Sequence, residues 1–147
     1  MTSTPLPQQP PSHPTTPLDP DRLPHIIGAP ATVAADGVIG FDLPQREPIM
    51  PGGVRISPYL NVFTSVAFEP LNGRTAVVAD FGMLEDQINR QAHTMRRRGW
   101  QLDCLHNQET DGQPQLHFSH QFKVGDAYQL AREVRRGLEQ TSVDLTT

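Results

Sequence analysis

The dipeptide Asn72-Gly73 constrains this chain more than any other feature. A type I′ turn needs positive φ at both central residues, and Asn-Gly supplies it at little cost. A two-residue loop there sets the register of the flanking runs. Phe68 then falls opposite Val77, Val66 opposite Ala79, and Thr64 opposite Phe81. A one-residue slip would turn one apolar set outward, so these matched partners specify a hairpin over residues 62–83. Its reverse face carries Ser65, Ala67, Ala76, Val78 and Asp80. A half-apolar outer face is expected to be covered by something.

An amphipathic helix is expected next, over residues 84–98, with Leu84, Ile88, Ala92 and Met95 as its apolar stripe. Glu85 and Asp86 open it and Arg96, Arg97 and Arg98 close it, each on the favourable end of the helix dipole. Gly99 is the stop. The same order then returns. Trp100, Leu102, Cys104 and His106 alternate with Gln101, Asp103, Leu105 and Asn107. Leu116, Phe118, His120 and Phe122 alternate with His117, Ser119 and Gln121, which makes a second strand pair. Residues 126–140 read as a second helix, capped by Asp126 and striped by Ala127, Leu130, Ala131, Val134 and Leu138. Both helices carry Arg-Arg-Gly near their ends, at 97–99 and 135–137. The expected fold class is α+β: a mainly antiparallel sheet built from two strand–strand–helix units, with both helices on one face. Residues 37–43 and 54–60 are expected to add short outer strands, and residues 25–35 support no assignment.

The register of the second hairpin governs the candidate chemistry. A two-residue Asp111-Gly112 turn would set Trp100 and Leu102 beside His117, Ser119 and Gln121, splitting the apolar set. A three-residue loop, Thr110-Asp111-Gly112, sets Cys104 across from Phe118 and keeps both apolar sets on one face, so it is the expected one. It places His106 opposite Leu116 and His120 opposite Leu102, about 13 Å apart along the ladder. Two Zn–N bonds of about 2 Å cannot span that gap. His106, Asn107, Gln108, His120 and Asp80 form the candidate ligand-binding set; His117 and Asp103 are the other titratable groups nearby. No zinc spacing is present, so no metal or cofactor is implied and no catalytic residue is assigned. Cys104 sits mid-strand on the expected core face, where a thiolate would be desolvated, and reads as structural.

Composition sets the boundaries. Eight of the fifteen prolines fall in the first 24 residues. Residues 1–24 therefore read as a disordered Pro-rich leader, 25–142 as a single domain, and 143–147 as a frayed tail. Pro7 to Pro10 and Pro11 to Pro14 match P-x-x-P, an unspecific pattern. Seven arginines (Arg90, Arg96, Arg97, Arg98, Arg132, Arg135 and Arg136) lie on the two helices of a chain with net charge −4. No aromatic residues are interleaved with them, so nucleic acid is not an expected partner. The single cysteine excludes an intrachain disulfide. No membrane span and no secretory pattern are visible, and the expected location is cytoplasmic.

Several of these runs together resemble the LppY/LpqO family, a group of largely bacterial proteins of unknown function. The resemblance rests on Cys-Leu-His-Asn-Gln (104–108), Phe-Ser-His (118–120) and Gly-Asp-Ala-Tyr-Gln-Leu-Ala (125–131). Ser-Val-Ala-Phe-Glu-Pro-Leu-Asn-Gly (65–73), Ala-Asp-Phe (79–81) and the stretch 37–44 extend it, so that it covers residues 37–142. Gln108 stands where the family pattern has the second histidine of His-Asn-His, and Gln87 where it has a glutamate early in the first helix. An amide is a poor transition-metal ligand beside imidazole, and it cannot act as a general base. The resemblance therefore implies a non-catalytic binding or interaction module with a small-ligand site at the 104–120 hairpin. The alternative is a metal-dependent hydrolase-type enzyme using His106 and His120, with Asp80 orienting or ligating. Family members often carry two such units in one exported chain. A chain with one is expected to form a homodimer through Ala67, Ala76, Val78 and Leu105.

Overall fold

A computed structural model describes residues 15–60, 62–107 and 115–146, apart from the side chains of Cys104 and Asn107. In chain order the elements are α1 (Arg22–Ile27), β1 (Thr32–Val33), β2 (Ile39–Leu43), β3 (Thr64–Leu71), β4 (Arg74–Met83), α2 (Ile88–Arg96), β5 (Gln101–Asn107), β6 (His117–Gly125) and α3 (Ala127–Leu138). The strands form one sheet in the order β1-β2-β3-β4-β6-β5. Every neighbouring pair is antiparallel.

The Asn72-Gly73 turn holds as expected. Gly73 has φ 78°, and Phe68 pairs with Val77 and Val66 with Ala79. The inner face of β2, β3 and β4 presents Ile39, Phe41, Leu43, Val66, Phe68, Val77, Ala79, Phe81 and Met83, all buried. Met95 of α2 and Leu130, Val134 and Leu138 of α3 belong to the same core. Each of the Val, Leu, Ile, Phe and Met side chains contributes about 1.5–3 kcal/mol by leaving water. The two helices thus share one face of an α+β sheet.

The shared Arg-Arg-Gly serves two different purposes. Gly99 takes φ 82°, ending the turn after α2. Gly137 lies within α3, where a Cβ would come 2.8 Å from Met95 Sδ and 3.2 Å from Phe81 Cζ. Its missing side chain lets α3 sit close against α2 and the sheet.

Three boundaries differ from expectation. The fold begins before residue 25: Leu23 and Ile27 of α1 are fully buried. The Asp19 carboxylate accepts hydrogen bonds from the Asp21 and Arg22 N–H groups, and the Arg22 guanidinium lies 4.0 Å above the Tyr128 ring. The earlier part of the proline-rich leader, residues 1–14, lies outside the described residues. At the other end the tail is seated. Val143 is buried and bridges to Gln45, and the Thr146 hydroxyl donates to Gly28 O. Finally, the described residues of 54–60 form no strand. Pro58 lacks the N–H a ladder requires, and it is β1 that lies outside β2.

Candidate functional site

Strand β6 decides the site, and its faces are the reverse of those the apolar alternation suggested. Ala79 pairs with Gln121, Phe81 with Ser119 and Val77 with Lys123. Gln121, Ser119 and Lys123 therefore share the helix-covered face. Phe118, His120 and Phe122 point to the outer face with Gly82, Asp80 and Val78, their cross-strand partners. The physical reason is that both faces are partly covered. Ile49 and Val62 pack against Leu116 and Phe118 on the outer face, in a second small core. Gly82 makes room for this: a Cβ there would lie 2.9 Å from Phe118 Cε1.

Polar groups on the inner face are satisfied in pairs. Gln121 Nε2 donates to Gln91 Oε1 at 2.7 Å, and Gln91 Nε2 returns a bond to Gln121 Oε1 at 3.3 Å. Lys123, the single lysine of the chain, donates to Arg98 O and to Glu133 Oε1, the latter at 2.6 Å. Trp100 Nε1 donates to the same Glu133 oxygen at 3.1 Å. The helix stripe is corrected accordingly: Gln91 is fully buried beside Met95, while Ala92 is half-buried.

The pairing of β5 with β6 differs from the three-residue-loop register. Leu102 sits opposite Gln121, the pairing that the two-residue alternative would give. The register then shifts between Leu102 and Leu105, and beyond the shift Leu105 faces Ser119 and His106 faces Phe118. One extra residue on β5 is a β-bulge, which moves later side chains to the opposite face. His106 thereby joins His120 on the outer face. Their ring centroids are 6.4 Å apart, not the 13 Å or so of the unbulged ladder. His106 also stacks on Phe118, with centroids 6.0 Å apart and planes inclined by 27°.

Asp80 completes the group. Its Oδ1 lies 3.6 Å from His120 Nδ1. That oxygen is buried and has no hydrogen-bond donor among the described residues. The Asp80 side chain is 18% exposed and that of His120 49%. At 3.6 Å the two atoms lie just beyond hydrogen-bond distance, so the carboxylate approaches the imidazole without bonding to it. Two rows of side chains cross the outer face here. Asp42, Ser65, Asp80 and His120 make a polar row; Gly40, Ala67, Val78 and Phe122 make an apolar one beside it.

Of the candidate residues, Asp80, His106 and His120 are thus brought together. Asn107 pairs with His117 through the backbone, and Gln108 lies outside the described residues. His117 faces Met83, on the helix side. Asp103 is exposed and accepts a bond from Gln101 Nε2. No group of three His, Cys, Asp or Glu among the described residues is placed to hold an ion. The described cavities line up elsewhere and include none of the three. Several helix arginines are engaged in the fold: Arg135 donates to Ile27 O and pairs with Glu139, and Arg98 donates to Thr94 O. Among the described residues no helix is long and apolar enough to cross a membrane.

The sequence profile of one protein family, described as Domain of Unknown Function (DUF1259), matches residues 21–140. No curated protein matches the chain, and no solved structure does.

Proposed function

The chain belongs to the DUF1259 family, and on that premise we propose that it is a non-catalytic binding module whose small ligand is taken by His106 and His120. The observation that carries this reading is the imidazole pair, 6.4 Å between centroids, with the Asp80 carboxylate 3.6 Å from His120 Nδ1. His106 is braced by Phe118, and His120 stands beside the Asp80 carboxylate with its side chain 49% exposed. Val78 and Phe122, 46% and 37% exposed, offer a flat apolar bed beside them. Asn107 stands next to His106 at the same end of β5. His120 meets solvent, which suits reversible binding better than chemistry that needs water excluded. Kinship with the LppY/LpqO family is part of this reading, supported by the ordered motifs over residues 37–142.

A second reading, a metal-dependent hydrolase-type enzyme, is favoured by one specific observation. Metal-ligating histidines commonly give their other ring N–H to a carboxylate, and Asp80 stands at that position for His120. The two readings part in one experiment. Metal content is measured on protein purified without an affinity tag, and the histidine ring resonances are followed as benzoate is added. The module reading predicts no stoichiometric metal, with benzoate shifting both rings in the parent and leaving the His106 ring unmoved in His120→Ala. Stoichiometric zinc, nickel or iron on these imidazoles would replace it with the metal-enzyme reading.

The same outer face is proposed to seat a second copy of the chain. Ala67 and Val78 lie on that face, while Ala76 is buried within the chain. Leu105 does not lie there, because its pairing with Ser119 sets it on the other side of the sheet, and Phe122 stands in its place beside Val78. Light scattering coupled to size exclusion should give a dimer mass. A monomer at high micromolar concentration would exclude the homodimer.

A further inference from the structure

A cavity of about 460 Å³ that includes none of the three site residues is lined by Gln45, Arg46, Glu47, Ile49, Leu84 and Ser142. Its walls are tied together before any ligand arrives. Gln45 bridges Val143, Arg46 N–H donates to Ser142 O at 3.0 Å, and Asp144 N–H donates to Pro44 O at 2.8 Å. The volume falls within the range of roughly 300–1,000 Å³ that small-molecule sites occupy. Ile49, 3% exposed, and Leu84 supply apolar wall.

The polar groups around that wall come in two kinds. Gln45 is 8% exposed; its Nε2 donates to Gly82 O, and its Oε1 meets no donor among the described residues. Glu47 adds a carboxylate to the lining. The same lining holds two donors. Ser142 Oγ accepts a 2.6 Å bond from Gln87 Nε2, which leaves its own O–H to point elsewhere. Arg46 is the second, and no ion pair joins it to Glu47 among the described residues.

We propose that this cavity binds a small zwitterion with an apolar body, of which a free apolar α-amino acid is the simplest case. Its carboxylate accepts from the Ser142 hydroxyl and the Arg46 guanidinium. Its ammonium donates to Gln45 Oε1 and the Glu47 carboxylate. Its side chain lies against Ile49 and Leu84. A ligand with one charge only would leave either the acidic or the basic lining group opposed by nothing.

Gln87 is the positioning residue. Its Oε1 accepts from Leu84 N–H at 3.0 Å while its NH₂ holds Ser142 as an acceptor. A glutamate at this position keeps the first contact. It reverses the second, because Ser142 must then donate its proton to the carboxylate. Gln87→Glu therefore withdraws the hydroxyl proton from the cavity without removing a side chain.

The test is a titration of the full chain with leucine, 4-methylpentanoate and 3-methylbutylamine, followed by amide NMR shifts and calorimetry. Leucine is expected to saturate, with shifts at residues 45–49 and at Ser142. Each single-charge analogue is expected to bind about tenfold more weakly or worse, the loss typical of one charged hydrogen bond. Ser142→Ala and Gln87→Glu should each weaken leucine by about tenfold, with the thermal midpoint of Gln87→Glu unchanged. The proposal is overturned by absent saturation with leucine at about 10 mM, well beyond a Kd of about 1 mM. Equal affinity for leucine and its analogues overturns it too, as does leucine binding indifferent to both substitutions.

Discussion

Replacing Lys123 by methionine should unfold this protein at a markedly lower temperature. Glu133 is 6% exposed, and its carboxylate is held by Lys123, Trp100 and Gln129. Methionine keeps the aliphatic stem but removes the ammonium, leaving a buried carboxylate with only two neutral donors. Breaking a buried pair in this way costs about 3–5 kcal/mol. The Lys123 side chain is 27% exposed, so solvent softens the loss, and the low end, about 3 kcal/mol, is the expected value. For a domain of this size that lowers the midpoint by roughly 10 °C. The assay is thermal unfolding by circular dichroism at neutral pH, with urea unfolding as the equilibrium check. Lys123→Met/Glu133→Leu should recover most of the loss, because the charge goes with its partner. About 1 kcal/mol stays missing, since Trp100 Nε1 then lacks an acceptor. Were Phe118, His120 and Phe122 on the helix-covered face, as the apolar alternation suggested, Lys123 would face solvent. A Lys123→Met variant within about 0.5 kcal/mol of the parent, the usual size of a surface change, would refute the assignment of faces on β6.

Other outcomes follow from the same geometry. Gly82→Ala puts a Cβ 2.9 Å from Phe118 Cε1 and 3.1 Å from Gln45 Nε2; a loss of about 1–3 kcal/mol in urea unfolding is expected, together with altered His106 ring shifts as Phe118 moves, and unchanged shifts would contradict the stack. Asp126→Ala removes the carboxylate that accepts from Gln129 N–H at 2.9 Å; it should cost about 1 kcal/mol, and no loss would show that α3 does not depend on its cap. Asp19 is held below its ordinary value of 3.8, chiefly by the N–H of Asp21 and then that of Arg22. A lowered folded-state pKa stabilises the fold above the unfolded value, and this is lost as pH falls through the folded one; an NMR titration placing Asp19 at or above 3.8 would remove the effect.

The parts of the fold that were legible in sequence are those where local chemistry and long-range pairing agree. Asn72-Gly73 and its apolar partners set β3 against β4, and Asp126 with the stripe ending at Leu138 marked α3. The second hairpin misled because its apolar alternation is real but serves the outer core of Ile49 and Val62. The inner positions read as solvent-facing, since Gln121 and Lys123 are polar. Their partners, Gln91 and Glu133, lie 30 and 10 residues away, and no local pattern announces such pairs. Helical spacing offered one signal: Gln91 falls between Ile88 and Met95, on the stripe itself. The bulge between Leu102 and Leu105 carries no glycine to mark it. Asp80 and His120 were each singled out from sequence; that His106 joins them was not, because it depends on that one extra residue.

The most direct test is a set of NOEs between histidine rings in protein labelled at histidine and phenylalanine. The account predicts cross-peaks from the His106 ring to both His120 and Phe118. Cross-peaks from His106 to Leu116 with none to His120 would restore the unbulged ladder and separate the two imidazoles that the proposed site requires.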